Sequence, residues 1–200
     1  MNYLAHIYLA DITQTSRCGN FMGDFVKGEL SQTNLLPKFK KGVYLHRKID
    51  VFTDSHPIVV KSRRRISKTR RRYAGIIIDM AFDHFLALNW NDYHSQPLSH
   101  FVDNFYIELK ESYQQLPESC QNITPYLIEG NWLENYADIS GIAFGLDGIG
   151  RRMQRRFNRK NVLHNSIEEI IENFDVLENN FSHFFPELVN YVKTLLPLPH

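Results

Sequence analysis

Along most of the chain apolar residues recur every three or four positions, the period of an α-helix packed by one face. Tyr3, Leu4, Ile7 and Tyr8 mark a short first helix, and Phe21, Phe25 and Val26 mark a second that is expected to end near Gly28. Pro37 suits the start of a third helix running to about Asp54, because a first-turn residue has no intrahelical amide bond to lose. Ser55-His56-Pro57 then breaks the chain ahead of a basic fourth helix. From Gly75 to Trp90 nearly every residue is apolar, which predicts a helix at the centre of the fold rather than on its surface. Leu98, Phe101, Val102, Phe105 and Leu109 line one face of a further helix. Pro117 to Pro125 reads as a linker rich in turn formers, followed by Tyr126 to Tyr136 and by a segment holding Gly141, Gly145, Gly148 and Gly150. These glycines follow no strand and lack Walker spacing, which argues against a phosphate-cradling loop. Ile167, Ile170, Ile171, Phe174, Leu177, Phe181 and Phe184 keep the helical period up to Pro186, with a short tail helix expected beyond it. No alternating strand pattern and no repeat competes, so the expected architecture is all-α, a single-domain helical bundle over residues 1–200.

Polar residues interrupt these apolar faces at four-residue spacing. Asn2 pairs with His6, Asn20 with Asp24, His46 with Asp50 and Asp54, and Asp79 with Asp83, which His84 follows. Residues four apart on a helix lie roughly 5–6 Å apart at Cβ, close enough to share one ion. Burying an ionised carboxylate without a partner costs several kcal/mol, so these aspartates need a cation, hydrogen bonds or exposure. Several have an ordinary explanation when taken alone. His6 reads as a hydrogen-bonded core histidine, Asp24 as a partner of Lys27, and Asp54 as the cap of the helix that follows. Asp83 and His84 resist such an account, being far from a helix end with no basic residue within a turn. Carboxylates and imidazoles without thiolates suit Mn²⁺, Mg²⁺, Fe²⁺ or Zn²⁺, and the excess of oxygen donors favours Mn²⁺ or Mg²⁺. An ion of this kind can activate water and neutralise charge on a phosphoryl oxygen.

Bulk properties narrow the classes further. A chain of 200 residues buries about 70% of its unfolded surface and can enclose a polar site. Its apolar runs fall far short of the roughly 20 residues that span a bilayer, and the first residues lack a basic leader, so a cytoplasmic protein is expected. Cys18 and Cys120 read as two separate thiols rather than a disulfide framework. The net charge of +1 conceals a segregation: residues 61–72 hold eight Lys or Arg and no acid, and residues 151–160 hold six and no acid. An acidic body with two basic patches favours a polyanionic partner.

The segments Asn2-Tyr3-Leu4-Ala5-His6, Gly19-Asn20-Phe21-Met22-Gly23-Asp24-Phe25, His46-Arg47-Lys48-Ile49-Asp50 through Thr53-Asp54, and Asp79 to His84 resemble, in order and spacing, the acyl carrier protein phosphodiesterases. Beyond Trp90 the resemblance is mainly one of length and helical pattern, with Gly145 to Arg152 the best block. That family resembles a rearranged relative of the HD-type metal phosphohydrolases, and the dipeptide of that class stands inverted here as Asp83-His84. The resemblance implies an HD-like bundle, a preference for Mn²⁺, and removal of the 4′-phosphopantetheine arm from holo acyl carrier protein, a protein of fatty acid biosynthesis. On this reading Asp24, His46, Asp50, Asp83 and His84 contain the metal ligands. His6, Asp54 and Asp79 support them or join them, and Asp24, Asp83 and His84 carry the catalysis. Acyl carrier proteins are strongly acidic, so Arg63, Arg64, Arg70, Arg71 and Arg72 are expected at the docking face. A nucleotide phosphohydrolase with the same centre is the nearest rival. A helical module binding nucleic acid through the basic segments, with Tyr73 and Phe157 against bases, is a further one that leaves the buried carboxylates unexplained.

Overall fold

A computed structural model describes residues 1–158 and 160–197, leaving the side chain of Phe157 outside the description. Among the described residues the regular structure is helical, with no strand. The order is α1 (Tyr3–Ile12), α2 (Arg17–Phe21) running into a 3-10 turn (Met22–Asp24), α3 (Pro37–Ser55), α4 (Pro57–Arg63) and α5 (Ala74–Leu88). Then follow α6 (Trp90–Tyr93), α7 (Leu98–Glu111), α8 (Glu118–Glu129), α9 (Ile139–Phe157), α10 (Ile167–Glu172) and α11 (Phe174–Thr194).

The apolar stretch behaves as its composition demands. Ile77, Ile78, Ala81, Phe82, Phe85 and Leu86 of α5 are wholly buried, and α5 packs against α1, α4, α9, α10 and α11. The buried apolar side chains of all these helices form one continuous cluster. Each large side chain so buried contributes about 1.5–3 kcal/mol before chain entropy is subtracted. Starts and stops follow local chemistry. Pro37 and Pro57 occupy first turns, Ser16 accepts from the Gly19 amide at 2.9 Å, and Asp138 accepts from the Ser140 amide at 2.8 Å.

Three expectations need correction, and the glycine segment, given no element above, is assigned one. The second helix stops at Phe21 rather than near Gly28, because the chain tightens into the 3-10 turn that lays Gly23 against His46. The supposed linker from Pro117 to Pro125 is mostly helix: Pro117 precedes α8, and Pro125 lies inside it. The proline leaves the Gln121 carbonyl without its amide partner, and the Tyr113 hydroxyl donates to that carbonyl instead, at 3.4 Å. The glycine segment is the long helix α9, where a Cβ on Gly141 would fall 2.1 Å from the Asn135 carbonyl oxygen. Pro186 does not end the last helix, which continues to Thr194.

α1 has no cap of its own, since the Asn2 side chain makes no capping bond. Asp83, buried inside α5, supplies one from another helix. Its Oδ1 accepts from the Asn2 amide at 3.0 Å and its Oδ2 from the Leu4 amide at 2.7 Å and the Ala5 amide at 3.4 Å. This joint fixes where α1 begins and so where His6, one turn further on, points. Asp83→Ala leaves these amides without partners, at about 1–3 kcal/mol each. The variant is expected to unfold at clearly lower urea concentration than the wild type, and an unchanged midpoint would show that the joint is not structural.

Candidate metal centre

The centre grows from a close approach of two backbones. A Cβ on Gly42 would fall 2.6 Å from the Asn20 amide nitrogen, and one on Gly19 would fall 2.8 Å from the Phe39 carbonyl oxygen. Glycine at both positions lets α2 lie directly on α3. Gly23 then faces the His46 ring so closely that a Cβ there would lie 2.1 Å from Cγ. Gly42, His46, Asp50 and Asp54 stand four apart on one stripe of α3 that starts at this contact and climbs from the interior to solvent.

His6 of α1 completes the cluster. Its ring stacks on that of His46, with centroids 3.9 Å apart and planes 19° from parallel. His6 Nδ1 lies 3.0 Å from Asn20 Oδ1, an amide oxygen that can only accept, so the proton of the neutral ring sits on Nδ1. That leaves the Nε2 lone pair 3.2 Å from Asp50 Oδ1 and without a hydrogen-bond partner. Two acceptors facing each other at this distance repel unless a cation lies between them. His46 Nε2 lies 3.0 Å from Asp50 Oδ2 and 3.6 Å from Asp24 Oδ1. The donor atoms of His6, His46 and Asp50 lie within 4.8 Å of one another and can hold a metal ion. A ligating imidazole whose other nitrogen is fixed by an amide oxygen is a usual supporting arrangement in metal sites.

The titration behaviour points the same way. Burial lowers the His6 pKa, and the charge of His46 lowers it further, so His6 is neutral. Burial opposes charge on His46 too, but its bonds to Asp24 and Asp50 outweigh it and raise the pKa to about 9. Asp50, despite its burial, is held well below the usual carboxylate range by the two imidazoles, and Asp24 is lowered by His46. The cluster therefore demands positive charge, which a proton on His46 supplies when no ion is bound.

Of the residues expected here, Asp24, His46 and Asp50 come together, and His6, expected in a supporting or ligand role, stands among the groups that could hold an ion. Asp83 and His84, expected as ligands and catalytic groups, are not in this cluster. Both Asp83 oxygens are occupied by the start of α1, and burial pushes its carboxyl up to about 7 against the pull of those amides. His84 Nδ1 donates to the Tyr136 carbonyl at 2.7 Å. Asp54 pairs with Arg63 at the exposed end of the stripe, and Asp79 faces the Met1 ammonium at 3.1 Å. Asn20 and the close-packed glycines carry functions that their types alone do not announce. The signal was the four-residue step from Gly42 to His46 and from Gly19 to Gly23.

The basic segment is partly engaged within the protein, through Arg63, Arg70 and Arg71. Arg70 donates to buried Glu169 at 3.2 Å and to the His164 carbonyl at 3.0 Å, while Arg71 donates to the Ile66 and Arg64 carbonyls at 3.1 and 3.0 Å. Arg64 and Arg72 are exposed, their side chains make no hydrogen bond or ion pair among the described residues, and they line a recess of about 550 Å³. This recess shares Ile76 and Asp79 with a larger cleft of about 790 Å³ whose lining includes Asp24, Trp132 and Arg152. Tyr73 packs on the core rather than projecting towards a base, and the Phe157 side chain lies outside the described residues. No described helix is long and apolar enough to cross a membrane, and Cys18 and Cys120 are both buried and unpaired.

An all-α bundle that gathers two stacked imidazoles and two aspartates beside an open cleft defines a class of helical protein with a cluster that could hold a metal ion next to a ligand-sized recess. The chain belongs to the acyl carrier protein phosphodiesterase family, whose model matches residues 1–188. A relative named acyl carrier protein phosphodiesterase, from Photorhabdus laumondii, is 34% identical over 190 residues, which cover 94% of this chain and 93% of that protein. Relatives of the same name from Salmonella agona and Salmonella newport are also 34% identical over 190 residues, covering 94% of this chain and 96% of theirs. No solved structure matches the chain.

Without metal, the His46 charge should be visible in stability. Its folded pKa of about 9 lies above the ordinary 6.5, so its stabilising contribution is complete below pH 6.5 and is lost as pH rises through about 9. Melting temperatures in chelator should fall across that window for the wild type and fall less for His46→Gln. Equal slopes in the two proteins would contradict the assignment.

Proposed function

We propose that this protein hydrolyses the phosphodiester joining 4′-phosphopantetheine to the serine of holo acyl carrier protein, releasing apo carrier protein and 4′-phosphopantetheine. The observation that carries the reading is the unpartnered His6 Nε2 facing Asp50 Oδ1 at 3.2 Å, a pair that a divalent ion reconciles. His6, His46 and Asp50 would hold the ion, with Mn²⁺ favoured and Mg²⁺, Fe²⁺ or Zn²⁺ as alternatives. Such an ion supplies a more acidic water and neutralises charge on the phosphoryl oxygens.

The remaining work falls to the chain's own residues. Asp24 is more than half exposed, ionised at neutral pH and part of the cleft lining, so it is placed to take a proton from the attacking water. The water oxygen bonds to phosphorus, the bond from phosphorus to the serine oxygen breaks, and that oxygen leaves as a hydroxyl after taking a proton from solvent. Asp83 acts through α1, whose first turn it holds, rather than on the substrate. Arg64 and Arg72 would meet the acidic carrier, while Arg63, Arg70 and Arg71 shape the loop that presents them. Buried, unpaired cysteines fit a cytoplasmic enzyme.

Mass spectrometry of holo acyl carrier protein after incubation with the enzyme and Mn²⁺ should show loss of the phosphopantetheine arm, abolished by chelator and by Asp50→Ala. Turnover of a nucleotide panel with the carrier left intact would favour the rival phosphohydrolase reading instead. Reversing Arg64 and Arg72 together to Glu should raise KM about tenfold or more at low salt with little change in kcat. Unchanged KM in that variant would remove these residues from docking.

A further inference from the structure

The cleft beside the centre offers a second specific assignment. Its volume of about 790 Å³ lies in the range of about 300–1,000 Å³ that small-molecule sites occupy. Asp24 belongs to this lining and lies 3.6 Å from His46 Nε2, so the cleft opens beside the centre. Its other walls are mostly apolar, with Met80, Trp132, Phe144 and Ile149 among them, and they carry the amide groups of Asn2 and Asn135 besides the charged Asp79, Asp138 and Arg152. Phe144 is 63% exposed, a large aromatic ring left open to solvent by the fold.

Gly148 stands in this wall, inside α9, and a side chain there would meet no atom within 4 Å. Glycine is the poorest helix former after proline. Gly141 of the same helix has a packing reason, a carbonyl oxygen 2.1 Å from where its Cβ would be. Gly148 has none, so α9 bears a destabilising residue whose effect is to keep the cleft open.

We propose that the cleft receives the pantetheine arm of the substrate and that Gly148 sets the width available to it. The assignment rests on the phosphodiesterase reading above. During hydrolysis the phosphorus must lie at the centre with the protein-borne serine on one side, so the arm must leave by a recess that opens beside the centre. The arm is a flexible, uncharged chain with two amides and a dimethyl-substituted carbon, which suits apolar walls carrying a few amide groups.

Titration calorimetry on the full chain, with 4′-phosphopantetheine and inorganic phosphate as probes, tests this directly. The wild type should bind the arm-bearing phosphate about tenfold or more tightly than inorganic phosphate. Gly148→Phe should lose that preference, while Gly148→Ala should keep it and melt at higher temperature. Phe144→Ala removes an exposed ring without disturbing the core, and should weaken arm binding while leaving the melting temperature near that of the wild type. Equal preference in the wild type, Gly148→Phe and Phe144→Ala, or no preference in the wild type, would overturn the assignment. A wild type that binds the arm but leaves holo carrier protein uncleaved would refute the proposed reaction and keep the cleft. One that cleaves holo carrier with the same KM as Gly148→Phe would refute the cleft and keep the reaction.

Discussion

The structure turns on a conflict between two acceptors, the His6 Nε2 lone pair and the Asp50 carboxylate oxygen that faces it. The His6 ring is held by the Asn20 amide and by stacking on His46, and the partly exposed Asp50 carboxylate lies against both imidazoles. A cation between them would satisfy the pair, and the packing around it holds the buried His6 ring in place. Gly19 and Gly42 let two helices meet at backbone distance, Gly23 presses on the second imidazole, and Asp83 sets the start of the helix that carries the first.

This arrangement divides the polar residues of the interior by task. Asp50 and Asp83 are both carboxylates on helices at four-residue steps from another polar group, yet their surroundings differ. Asp50 meets imidazoles and remains ionised, whereas Asp83 meets amides in a sealed environment that raises its pKa to about 7. The basic segment divides in the same way. Arg70 and Arg71 tie down a loop through Glu169 and backbone carbonyls, which leaves Arg64 and Arg72 presented beside the cleft. A stretch with eight cations and no acid thus serves partly as scaffold, through Arg63, Arg70 and Arg71, and partly as surface.

Much of the bundle was legible because helical period is a local signal. α1, α3, α5 and α7 lie where their apolar spacing puts them, and the stripe from His46 to Asp54 follows from four-residue steps alone. The failures came where local rules met tertiary context. Pro125 and Pro186 read as breaks, but packing carries α8 and α11 through them, and for Pro125 a tyrosine hydroxyl takes the orphaned carbonyl. Asp83 read as a ligand because no cation lies near it in sequence, and its partners turned out to be backbone amides about eighty positions away, which no residue type advertises. His6 read as either a support or a ligand, since a lone histidine on an apolar face is usually a core group, and its stacking on His46 sets it among the groups that could hold an ion.

The central claim is that one ion sits among His6, His46 and Asp50. Anomalous diffraction at the manganese edge, from crystals grown with Mn²⁺, locates such an ion without reference to activity. The account predicts a peak within coordination distance of His6 Nε2, His46 Nε2 and an Asp50 oxygen. A peak at Asp83 and His84 instead, or none in crystals of protein that is fully active, would contradict it.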